Sequence, residues 1–395
     1  MIVERPVSLL KLLLTFCKLG AISFGGNMAL VSVVQNYVGK QKKWLSDEVI
    51  LDGVMLCGLL PGPLAVNFIA YTGYRIRGFA GAMVSVIGVI LPSFILVTGL
   101  SYLYFTFGKV PAVKSMLHSI EPVITGVIIA TVIPLSRKNL VRPSQFIIAL
   151  IALSIMVFMK GAAAIFTVIA FSGTCGYFLF REGIQKIPHK FSLLIPYKRI
   201  LLLSILIIAF ISIFFVKGIV PIENLRLLGK TFSVMSLTLF GGGYVFIPTI
   251  GTIVTQTFPW LTMKEFTDGI AIGQITPGPI LITSAFIGYK IAGVGGALLA
   301  TAAIFFPPAL LVLIATHFLN YLKAQPIAQS IFSGLRPGVI GMLAASVIFI
   351  GRGSILEWQS WLICTIVIIS ILYYKLDASI VIPVTAILGY FLFMI

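Results

Sequence analysis

CGLLPGPLAVN (residues 57–67) and GQITPGPILIT (residues 273–283) each carry a Pro-Gly-Pro triplet inside an apolar stretch. Proline has no N–H and glycine tolerates unusual dihedrals, so Pro61-Gly62-Pro63 and Pro277-Gly278-Pro279 should each interrupt a helix. In lipid such a break strands backbone polar groups and is tolerated only where protein or a water-filled cavity covers them.

The surroundings of the triplets are apolar along the whole chain. Of its 395 residues, 59% are hydrophobic and 10% charged, and mean hydropathy is +1.11. The reading is an all-α polytopic membrane protein. A cleaved signal peptide is not expected, because Met1–Lys18 lacks a small-residue cleavage site and runs into further apolar sequence. No segment is polar and long enough for a soluble catalytic domain. The net charge of +17 fits positive-inside topology and anionic lipid headgroups, or a potential that attracts an anionic substrate. It fits nucleic acid poorly, because no basic stripe sits on a soluble fold. Cys17, Cys57, Cys175 and Cys364 lie in apolar runs without a CxxC pair, and the three histidines are scattered. No metal and no cofactor is expected.

The chain repeats itself. Phe24-Gly25-Gly26, Trp44-Leu45, Asp52-Gly53 and Pro61 recur as Phe240-Gly241-Gly242, Trp260-Leu261, Asp268-Gly269 and Pro277, an offset of 216 (277 − 61). One residue then drops out, and Gly73-Tyr74, Gly81-Ala82, Pro92, Pro122 and Lys160 recur at an offset of 215. The units are residues 1–180 and 226–395, separated by 181–225, which hold a basic stretch (Arg181, Lys186, Lys190) and one further apolar segment. Six apolar segments fill the first unit, at 8–38, 46–75, 78–108, 112–136, 143–159 and 161–180, and six fill the second. An even number of crossings per unit plus one between them predicts two inverted-topology repeats with broken transmembrane helices. Loop charges favour a cytoplasmic N-terminus by a modest margin. Ser46 with Asp47 and Glu48, and Thr262 with Glu265, predict the starts of the two broken helices.

Paired breaks of this kind point to a transporter's binding site. The half-helices after Pro63 and Pro279 begin with unpaired N–H groups and a positive dipole end, which favours an anion. Asn67 and Thr283 follow on the next turn, and Gln274 precedes the second triplet where Gly58 stands in the first. A packing kink is the competing reading. Gly25, Gly26, Asn27, Gly241 and Gly242 read either as further backbone contacts to substrate or as close helix packing. Lys18 is a deep cation. Glu121 and Arg336 are repeat mates, as are Asp52 and Asp268, and these four read as coupling or gating charges or as structural pairs. Arg75 and Lys290 are mates near an interface.

KLGAISFGGN, WLSDEV, LLPGPLAVN and YTGYRIRG in one half, with LTLFGGGY, WLTMKEF, GQITPGP and IGYKIAG in the other, resemble the chromate ion transporter family over nearly the whole chain. The resemblance implies two homologous domains fused in opposite orientation and export of chromate, with sulfate as the close analogue. It places a basic residue at Lys18 and makes it an anion contact. Two departures stand out: Asn27 where the family often has proline, and Gly58 where it often has glutamine.

The expected function is secondary transport of a tetrahedral oxyanion, chromate or sulfate, with antiport as one form of coupling. The expected location is the cell (inner) membrane, among lipid, with a homodimer compatible with the reading. No P-loop appears in this sequence. An oxyanion channel of the same architecture is the alternative. An intramembrane enzyme finds no HExxH or paired catalytic aspartates to support it.

Overall fold

The computed structural model describes residues 7–23, 30–107, 122–159, 162–180, 197–216, 222–238, 246–318, 326–354, 357–376 and parts of 380–388, single positions inside some of these ranges excepted. These residues are helical, with no strand among them. The elements are α1 Leu9–Ile22, α2 Asp47–Leu59, α3 Leu64–Phe107, α4 Pro143–Phe158, α5 Ala162–Leu179, α6 Tyr197–Ser212, α7 Glu223–Thr238, α8 Phe246–Thr252, α9 Met263–Ile275, α10 Thr283–His317, α11 Pro326–Ser354 and α12 Trp358–Leu372.

Local chemistry sets the helix starts. Ser46 Oγ accepts the Val49 N–H at 3.5 Å, and Asp47 and Glu48 occupy the first turn of α2, where carboxylates suit the helix dipole. At α9 the Thr262 N–H donates to Glu265 Oε2 at 2.8 Å, and the Glu265 N–H to Thr262 Oγ1 at 3.1 Å, a capping box.

The long element α3 is two helical legs joined by a sharp turn. Arg77 (φ −142°) and Gly78 (φ 63°, ψ −154°) leave helical geometry, Gly78 in a region that only glycine enters readily. The expected boundary between the segments 46–75 and 78–108 falls at this turn. In α10 the same event occurs at Ala292 (φ −153°) and Gly293 (φ 57°), an offset of 215. Across the first turn Gly73 and Gly81 meet backbone to backbone, and Gly288 and Gly296 do so across the second. A Cβ at any of the four would overlap the opposite leg, so these glycines let the legs touch.

A wider turn also repeats. Gln35–Gln41 and Ile253–Thr257 are π-helical. The Lys42 N–H donates to Tyr37 O at 2.9 Å and the Phe258 N–H to Ile253 O at 2.7 Å, both five residues back and 216 residues apart in the chain.

The chain forms two compact units. The first comprises 1–99, 186–243 and 276–325, and the second 100–185, 244–275 and 326–395, so each draws on both sequence repeats. In the first unit α10 packs on α7 and α6, and on α2. There Gly20 lies against the Val89 backbone, and Gly88 against Leu13 and Phe16. In the second unit α11 packs on α4 and α5 through Gly334 beside Gly176, Gly338 beside Ser172 and Gly341 beside Ala149. Large apolar side chains face outward, among them Phe158 at 83%, Trp358 at 68% and Leu10 at 65% exposure. Water would penalise each such surface by roughly 1.5–3 kcal/mol, and lipid would not.

Candidate functional site

The first break lies in the first unit. α2 ends at Leu59, and Leu60 turns extended (φ −99°, ψ 153°). Pro61 and Pro63 supply no N–H, so the carbonyls of Cys57 and Leu59 lose the donors four residues on that a continuous helix would give them. Gly62 has φ 101°. The next leg begins with the Asn67 N–H donating to Pro63 O at 2.9 Å. The buried Asn67 side chain folds back, and its Nδ2 donates to Pro61 O at 2.9 Å. Its Oδ1 is buried and takes no partner among the described residues. A flipped amide would set oxygen against oxygen at Pro61, so the hydrogen bond fixes this orientation. Tyr71 OH donates to Val49 O at 3.1 Å and ties the second leg to the first turn of α2. Beside the break, Gly58 borders open space, with nothing within 4 Å of a Cβ placed there.

At the second break α9 ends at Ile275 and Gly278 adopts φ 117°. The Gly278 N–H donates to Ser23 O at 2.9 Å, beyond the end of α1, and the Ile282 N–H donates to Pro279 O at 3.0 Å. A 3₁₀ turn, Ile280–Ile282, leads into α10. Thr283 Oγ1 donates to Ile280 O at 3.0 Å. The next side chain, Ser284, is buried and its Oγ takes no partner among the described residues. Gln274, on α9 in the second unit, is buried with its Nε2 likewise unpartnered.

The triplet glycines make reciprocal contacts inside the first unit. A Cβ on Gly62 would overlap the Pro308 ring, and a Cβ on Gly278 would lie 2.7 Å from Ser93 Oγ. Ser93 and Pro308 are themselves repeat mates at an offset of 215. Each glycine therefore packs on the return leg of the opposite half.

The charged candidates are spread out. Lys18 lies on the exposed face of α1 with Leu14 and Ile22, opposite the buried Leu12, Phe16 and Leu19, and takes no hydrogen bond or ion pair among the described residues. Asp52 is half-buried on α2, and Arg336 is exposed on α11. Asp268 is wholly buried in the second unit, where its Oδ2 accepts from Tyr104 OH at 2.7 Å. Gly25, Gly26, Asn27, Glu121, Gly241 and Gly242 lie outside the described residues. No group of three His, Cys, Asp or Glu side chains gathers to hold a metal among the described residues.

Sequence reasoning missed Ser23, Ser93, Ser284, Pro308 and Tyr104. Ser93 and Pro308 each follow a proline that the repeat singles out (Pro92 and Pro307), which was the available signal. Tyr104 carried none.

Described residues that are helical, lipid-suited apolar surfaces and helices that break at two buried glycines have the build of a membrane transporter. Comparison with known proteins agrees. Residues 10–177 and 226–390 match the Chromate transporter family, and the chain belongs to that family. It is 29% identical to the "Probable chromate transport protein" of Synechococcus elongatus, over 98% of this chain and 96% of that one. It is 28% identical to the "Chromate transport protein" of Cupriavidus metallidurans, over 97% and 92% respectively. An uncharacterized transporter of Methanocaldococcus jannaschii is also 28% identical, over 97% and 94%. No solved structure matches the chain significantly.

Proposed function

We propose that this chain is a secondary transporter of a tetrahedral oxyanion, chromate outward or its analogue sulfate, working by alternating access at the paired breaks. The observation that carries this reading is the reciprocal packing of Gly62 on Pro308 and Gly278 on Ser93. Such a contact pair is what two inverted repeats related by a pseudo-two-fold axis would make. The printed names of the relatives supply the substrate class. The half-helix starts after Pro63 and Pro279 each present N–H groups and a positive dipole end, and the one after Pro279, with Thr283 on the turn that follows, receives the oxyanion. Lys18, and the glycines of the two Phe-Gly-Gly motifs with Asn27, complete the path. Asp52, Asp268, Glu121 and Arg336 serve coupling or gating. With no P-loop in the sequence, the energy comes from the membrane potential or a coupled ion, antiport being one form. The setting is the inner membrane.

The test is counterflow in liposomes, with chromate, sulfate, molybdate and phosphate under imposed pH and voltage gradients. Saturable uptake stimulated by substrate on the far side is expected. Uptake that follows voltage without trans-stimulation would instead make the protein an oxyanion channel. Lys18→Ala should raise the half-saturating oxyanion concentration about tenfold, the loss of one charge-assisted contact. Unchanged counterflow in that variant would remove Lys18 from the path.

A further inference from the structure

The two triplets are alike in sequence and opposite in what they leave unsatisfied. At the second break the orphan is the Ser284 hydroxyl, which can donate, and Gly278 has already given its N–H to Ser23 O. Three residues before that triplet, Gln274 Nε2 is a second unpartnered donor. At the first break the orphan is Asn67 Oδ1, a pure acceptor. One of its two amide N–H bonds is given to Pro61 O at 2.9 Å. Like the second triplet at the end of α9, the first takes helical donors from the last turn before it, here at the carbonyls of Cys57 and Leu59, at the negative dipole end of α2. A buried amide oxygen without a donor is relieved by a hard cation, since such cations take oxygen ligands. Gly58, where the second half has Gln274, is exposed, with nothing within 4 Å of a Cβ placed there.

We infer that the first break binds an alkali-metal cation, through Asn67 Oδ1 and the freed carbonyls of the last turn of α2. Of the two breaks, the second then holds the oxyanion. The cation's role as coupling ion rests on the transporter reading, whereas its binding does not.

The experiment uses the full chain, purified in detergent without oxyanion, at fixed pH and ionic strength. Thermal unfolding is followed as choline chloride is exchanged for sodium, lithium or potassium chloride. One of the three should raise the midpoint saturably by about 3 °C, because a ligand that binds only the folded state stabilises it. Asn67→Ala should abolish that rise, and Asn67→Asp should keep or enlarge it. Equal rises in wild type and Asn67→Ala would overturn the assignment. If Asn67→Ala does not fold, radioactive sodium binding to the wild-type chain, displaced by unlabelled lithium or potassium, decides instead. Saturable binding supports the site, and its absence together with a flat midpoint refutes it. Because no oxyanion is present, a negative result here leaves the counterflow experiment to judge the transport reading separately.

Discussion

Gly62 and Gly278 carry two constraints at once, a positive φ and a wall within van der Waals reach. An L side chain in left-handed backbone costs roughly 1–2 kcal/mol, and overlap with Pro308 or Ser93 adds to it. Gly62→Ala and Gly278→Ala should therefore each lower the unfolding midpoint in detergent by several degrees. Gly295→Ala is the contrast: that glycine is exposed within α10 with nothing near a Cβ, so alanine should stabilise by about 0.5–1 kcal/mol. The triplets and the capping Ser46 and Thr262 were legible in the sequence because each acts within four residues of itself. Tyr104 was not, since its bond to Asp268 closes 164 residues of chain and leaves no local mark.

Among elements, the legs of α3 and α10 depend on glycine crossings. Gly288 sits against the Gly296 backbone with no room for a Cβ. Gly288→Val should splay the legs, costing about 2–4 kcal/mol as overpacking and lost contact, seen as an earlier melt and a broadened gel-filtration peak. The turn at Arg77–Gly78 could be read in advance from polar residues flanking a glycine between two apolar runs. The π-helical turns could not, because a hydrogen bond shifted from four residues back to five changes no residue pattern. Nor could the pairing of Gly62 with Pro308, which needs the far half of the chain in place.

For the whole molecule, the proposed inversion makes a geometric demand. Phe79 and Val294 are repeat mates just past the two turns, both exposed. Single cysteines there, with Cys17, Cys57, Cys175 and Cys364 replaced, should react with an impermeant maleimide from opposite sides of the membrane. Labelling from one side would rule out inversion. The sequence repeat at offsets of 216 and 215 foretold where backbone events recur, yet not how the chain partitions in space. The two compact units cut across the repeats, because contacts follow the legs that touch and not the order in which they were made.

The reciprocal seating of the triplet glycines also bears on what half of this chain could be. Cut in the basic stretch near Lys186, the front piece keeps Gly62 and Ser93, and the rear piece keeps Gly278 and Pro308. Neither piece then owns both sides of either contact. A lone half would be an incomplete object, with one unbacked glycine and one idle wall. It could complete itself only by borrowing from a second molecule, so that fusion into one chain fixes permanently a partnership that separate halves would have to find by diffusion.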